Sequence, residues 1–189
     1  MFPTDILSIL DARSFSSPWF WLALLVVWTY SGRRVLGIPI DVLTQATRAL
    51  REKPGADSAE VFALLDWMSL NVPRWRIGPR AAAVLTGLIC FGISALTVLG
   101  FGYALEMAQA LTLILMPQAV LLALRFRLAG QLYWVLEAAH LGQPAPEAAA
   151  EALRRINRYR VFYAIVSVLA VVATTLWASL WLLLHPNGL

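Results

Sequence analysis

Cysteine occurs once, at Cys90, and histidine twice, at His140 and His185. A single thiol forms no disulfide within one copy, and it cannot build a cysteine-rich metal site or hold an iron–sulfur cluster. Neither histidine has a second His or Cys beside it, so each reads as a solvated side chain rather than a metal ligand. The chain also lacks a phosphate loop, HExxH, CxxC, a dinucleotide glycine motif and any nucleophile–base pair. No catalytic residue, cofactor-binding residue or metal ligand is therefore assigned, and an enzyme is not expected. Charge is scarce too, at 14% of residues, against about 25% in a typical soluble domain.

What the chain has instead is apolar surface. Hydrophobic residues make up 60% of its 189 positions and mean hydropathy is +0.70, the composition of a membrane protein. The net charge of +4 does not point to nucleic acid. The arginines flank apolar runs, as membrane orientation requires, and form no basic groove interleaved with exposed aromatics. No cleavable leader is expected, because Asp5 and Asp11 precede the first apolar run and Arg33 and Arg34 follow it.

The organising stretch is 79–126, read as two spanning helices, 79–101 and 104–126, joined by the turn Gly100-Phe-Gly-Tyr103. At about 1.5 Å per residue each crosses a hydrocarbon core of about 30 Å. Before it, Ile6, Ile9 and Leu10 suggest an interfacial amphipathic segment over residues 4–12. Ser17-Pro18 then opens a first span, 18–36, which ends at Gly37 and Pro39 with Arg33 and Arg34 snorkelling to the headgroups. Loop 40–78 reads as two short helices. Asp41 caps the first, Pro54-Gly55 breaks it, and Asp57-Ser-Ala-Glu60 supplies a capping-box pattern for the second. In that second helix Val61, Leu64, Leu65 and Met68 form an apolar stripe, and the pair is expected to pack on the membrane surface or on the bundle rather than to form a partner-docking groove.

After Phe126 the helical pattern continues through Leu128, Leu132, Val135, Leu136 and Ala139, then turns at Gly142-Gln-Pro-Ala-Pro146. A helix from Glu147 leads into a fourth span, 161–184. The near-equal arms over 128–141 and 147–160 predict an antiparallel helical hairpin at 128–160. With the N-terminus outside, every Lys and Arg except Arg13 falls on the inner side, so the positive-inside rule puts both termini in the periplasm and loop 40–78 and the hairpin in the cytoplasm. Trp19, Trp21, Tyr103, Trp177 and Trp181 then serve as outer interfacial anchors, and Tyr30, Trp75, Phe126, Tyr159 and Phe162 as inner ones. The expected fold class is all-α: one integral-membrane domain of four transmembrane helices with a cytoplasmic helical hairpin and a cytoplasmic loop of two short helices.

Ala83, Gly87, Cys90, Ser94 and Thr97 give the second span a stripe of small residues, read as the face on which another span packs. Ser167, Ala170, Thr174 and Ala178 give the fourth a weaker one. Glu106 is the only carboxylate near the apolar part, with Gln109 close by. A buried one would bind a proton or cation, but its place just past the outer turn favours an interfacial or helix-dipole role. Pro117 removes the donor for the Leu113 carbonyl and should kink the third span, at a gate or as plain structure. Arg154, Arg155, Arg158 and Glu137 are the candidate docking residues on the cytoplasmic hairpin.

Two blocks carry a resemblance. Arg13-Ser-Phe-Ser-Ser-Pro-Trp-Phe-Trp-Leu-Ala-Leu, continuing to Val35-Leu-Gly-Ile-Pro39 and Asp41, and Ser94-Ala-Leu-Thr-Val-Leu-Gly-Phe-Gly-Tyr-Ala-Leu-Glu-Met-Ala-Gln-Ala-Leu111 resemble a family of small alphaproteobacterial membrane proteins described as components of the SufBCD complex. The resemblance implies an association with iron–sulfur cluster assembly. The expected function is then a non-enzymatic inner-membrane accessory, anchor or assembly protein, in the lipid bilayer and docking a protein partner on its cytoplasmic face. The alternative is a small transporter or channel-like subunit that works as a homo-oligomer through the 79–126 hairpin and Glu106.

Overall fold

The computed structural model describes residues 15–32, 34–53 and 55–184; the expected amphipathic segment at 4–12 and His185 lie outside them. Six helices dominate: α1 (Pro18–Gly32), α2 (Ile40–Glu52), α3 (Ala59–Asn71), α4 (Pro79–Thr97), α5 (Glu106–His140) and α6 (Ala145–Leu184). A two-stranded ladder, β1 (Arg34–Val35) with β2 (Ile38–Pro39), separates α1 from α2, and a π-helical turn over Val98–Gly102 extends α4. Among the described residues three helices are long and apolar enough to cross a membrane: Pro79–Gly102, Glu106–His140 and Ala145–Leu184.

The helix of the first expected span is shorter than the 18–36 read from the sequence. Helix α1 ends at Gly32 instead of continuing to residue 36, and its 15 residues rise only about 22 Å, short of a core of about 30 Å. Beyond it Leu36 and Gly37 take positive φ, 53° and 87°, the conformation of a tight type I′ hairpin turn. For leucine this conformation is unfavourable. Its side chain is nevertheless buried, as are those of Val35 and Ile38, so the reversal places three apolar residues in a core that a straight helix would have left outside.

The chain divides into two compact units, one comprising 30–78 and 122–164 and the other 15–29, 79–121 and 165–184 among the described residues. In the first, α2, α3, the β-ladder and the two arms of the α5–α6 hairpin share one apolar core. Leu43 and Ala46 of α2 and Val61, Leu64 and Met68 of α3 meet Leu132 and Val135 of α5 and Ala148, Ala152 and Ile156 of α6. Of the stripe expected on α3, Leu65 is only partly buried. The alanines on α6 let its backbone lie close to its neighbours, which is why the hairpin and loop 40–78 form one body. At the hairpin tip Gly142 takes φ 106°, and the Gln143 N–H reaches back to the Ala138 carbonyl at 3.1 Å, a Schellman closure.

Two capping expectations shift. Pro39, not Asp41, precedes α2 and makes no side-chain cap bond; Asp41 lies in the first turn, where its charge suits the helix dipole. On α3 the N-cap is Ser58, whose hydroxyl accepts from the Val61 N–H at 3.4 Å, so Glu60 stands in the first turn rather than closing a box from Asp57. The Glu60 backbone N–H, and then the Ser58 hydroxyl, hold its carboxyl below the usual carboxylate range.

The other unit packs more sparsely. Phe15, Ala110 of α5 and Ala178 of α6 form its buried centre, with Phe20, Trp21, Leu113, Trp177 and Trp181 around them. Phe15 and Phe20 meet edge to face at 5.4 Å, as do Phe101 and Trp177 at 5.1 Å. Trp21, Trp177 and Trp181, expected as outer interfacial anchors, thus also pack within this unit. Helix α4 buries no side chain.

Candidate functional site

Two groups of polar side chains stand out, one in each unit. The first surrounds the start of α5. Leu105 follows the turn residue Ala104, whose φ is 57°, and the redirected chain brings α5 against the π-turn so closely that Gly100 is buried. A Cβ there would lie 2.7 Å from the Gln109 backbone nitrogen. Gln109, 2% exposed, donates through Nε2 to the Gly100 carbonyl at 2.9 Å and accepts through Oε1 from Trp177 Nε1 at 2.9 Å. The amide thus ties α4, α5 and α6 together.

Glu106, 8% exposed, accepts the Phe15 backbone N–H through Oε1 at 2.5 Å, and the Phe15 carbonyl accepts from Trp21 Nε1 at 3.0 Å. The carboxylate holds the entry to α1 while lying in the first turn of α5, favourable to that helix's dipole. Nothing in the sequence pattern linked Glu106 to Phe15 or Gln109 to Trp177. A buried amide in an apolar run that must find partners was the available signal.

Pro117 lies within α5, which is helical on both sides of it, and it lines an apolar cleft of about 540 Å³ together with Thr97, Met116 and Ala170. The packing stripe expected on α4 is corrected. Ala83, Gly87, Cys90, Ser94 and Thr97 are all exposed, and a Cβ added at Gly87 would meet no atom within 4 Å. The weaker stripe on α6 turns inward instead, with Thr174 and Ala178 buried. Small residues permit close approach but do not decide which helix approaches.

The second group lies where the apolar parts of α5 and α6 give way to their polar arms. A cleft of about 390 Å³ is lined by Leu124, Arg127, Gln131, Arg155, Arg158 and Phe162 among others. Arg155 is paired with Glu151 one turn earlier and donates through Nη1 to the Gln131 carbonyl at 2.6 Å. Arg127 and Arg158 are exposed and make no ion pair among the described residues. Arg125 is committed elsewhere, donating to the Tyr159 hydroxyl at 2.9 Å and to the Ser31 carbonyl at 2.8 Å. Of the residues expected to dock a partner, Arg155 and Arg158 share this cleft, while Arg154 is exposed and Glu137 partly buried on the arms without lining it. Arg127 was not anticipated as their neighbour.

Among the described residues no three His, Cys, Asp or Glu gather as metal ligands would. No protein-family model, curated protein or solved structure matches the chain.

Proposed function

We propose that this chain is a non-enzymatic accessory, anchor or assembly protein of the bacterial inner membrane that docks a protein partner on its cytoplasmic face. In this reading α1 is a short fourth span, both termini are periplasmic, and loop 40–78 and the α5–α6 hairpin are cytoplasmic, as the arginine distribution along the sequence favours. The observation that carries the docking surface is on α3. With Val61, Leu64 and Met68 turned into the core, its other face still presents Phe62, Trp67 and Leu70, exposed by 48, 40 and 64%. A short helix apolar on both sides has one face beyond what its own fold uses, and exposed clusters of this kind mark interaction sites. The resemblance noted above names one class of partner, the iron–sulfur cluster assembly machinery.

The test is purification of the tagged full chain from native membranes in mild detergent, beside the Phe62→Ser/Trp67→Ser variant. A stoichiometric protein partner retained by the natural chain and lost by the variant is the expected result. Recovery of the natural chain alone, or only with copies of itself, would overturn the reading.

A further inference from the structure

The cleft between α5 and α6 has a chemical gradient along it. On α5 the lining residues Leu124, Arg127 and Gln131 fall at steps of three and four, and on α6 Phe162, Arg158 and Arg155 fall at four and three, so each helix offers one continuous face to the cleft. Both faces run from apolar to basic. The apolar end continues in sequence into runs without a single charge, 107–124 on α5 and 161–184 on α6. At the basic end the Glu151 carboxylate answers Arg155, which leaves Arg127 and Arg158 as two cations with no carboxylate paired to them among the described residues.

We propose that this cleft binds the phosphate of an anionic membrane lipid, with Arg127 and Arg158 on the phosphodiester and Leu124 and Phe162 against the upper acyl chain. Guanidinium groups offer forked donors that match phosphate oxygens, and a volume of about 390 Å³ lies within the roughly 300–1,000 Å³ range of small-ligand sites. A free phosphate would satisfy the arginines but not the apolar end, and for that reason the lipid is the favoured source. The proposal rests on the membrane reading of the chain and adds to it a specific lipid contact where basic residues meet apolar helices.

The test is lipid titration of the purified full chain by native mass spectrometry, with phosphatidylglycerol and phosphatidylcholine as probes. One phosphatidylglycerol should bind in preference to phosphatidylcholine. With each arginine contributing about fivefold, R127Q/R158Q should weaken it about 25-fold, while R48Q/R51Q, the same charge change on α2, should alter it by less than about twofold. The R127K/R158K pair, which keeps the charge but loses the forked donors, should bind more tightly than the glutamine pair and less tightly than the natural chain, and guards against a folding defect in the glutamine pair. Equal binding of the two lipids, or equal loss in the α2 variant, would overturn the proposal while leaving the membrane reading intact. One-for-one displacement by millimolar inorganic phosphate would overturn the lipid assignment in favour of a free anion. Failure of the chain to partition into membranes would overturn both readings together.

Discussion

Replacing Gly100 by alanine is expected to destabilise the packing of α4 on α5 far more than the addition of one methyl suggests. The new Cβ would stand 2.7 Å from the Gln109 nitrogen and 3.0 Å from both the Ala108 carbonyl carbon and the Gln109 Cα. All three are backbone atoms, so no rotamer change relieves the clash and the two helices must separate. Overpacking of this kind costs about 1–3 kcal/mol. The separation also stretches the 2.9 Å bond from Gln109 Nε2 to the Gly100 carbonyl, worth about 1 kcal/mol. The sum of about 2–4 kcal/mol corresponds to a factor of roughly 30 to several hundred in the unfolding equilibrium. The assay is reversible unfolding in mixed detergent micelles, with Gly92→Ala as the reference because a Cβ at Gly92 meets nothing within 4 Å. The reference should stay within about 1 kcal/mol of the natural chain, since alanine favours helix at an open position. If Gly100→Ala proves as stable as Gly92→Ala, the close approach of the π-turn to α5 is wrong.

Three further outcomes follow from the other unit and are read separately. Leu64→Ala, at a fully buried position on α3, should cost about 2–5 kcal/mol and expose loop 40–78 to limited proteolysis; unchanged protection would argue against a core shared with the hairpin. Tyr159→Phe removes the hydroxyl that accepts from Arg125 and should cost about 1.5 kcal/mol in the same unfolding assay, the low end for a bond to a charged group, because the Ser31 carbonyl still holds the guanidinium. For Glu60, a depressed carboxyl pKa means that its stabilising contribution is present above the ordinary glutamate value and is lost as pH falls through the lower folded value. Carboxyl NMR titration should find the Glu60 midpoint below that reference and partly restored by Ser58→Ala. An unaltered midpoint would remove the Ser58 contact from the account.

Residue chemistry alone established that the chain is mostly helical and that α4, α5 and the second part of α6 are membrane-length and apolar. Composition over twenty or more residues settles such questions without reference to neighbours. The hairpin at Gly142 and the buried stripe on α3 were legible for the same local reason, since turn chemistry and helical period are properties of short segments. Only the tertiary structure decided the rest. It ended α1 at Gly32, because Leu36 at positive φ is tolerable when its side chain enters a core that distant residues of α5 and α6 help to build. It left the small-residue stripe of α4 exposed and turned the weaker one on α6 inward, a choice made by which helices meet. It gave Glu106 and Gln109 their partners at Phe15, Gly100 and Trp177, and set Arg127 beside Arg155 and Arg158 across a hairpin. Those pairings join residues up to 91 positions apart, a separation at which local pattern carries no information and packing alone selects the neighbour.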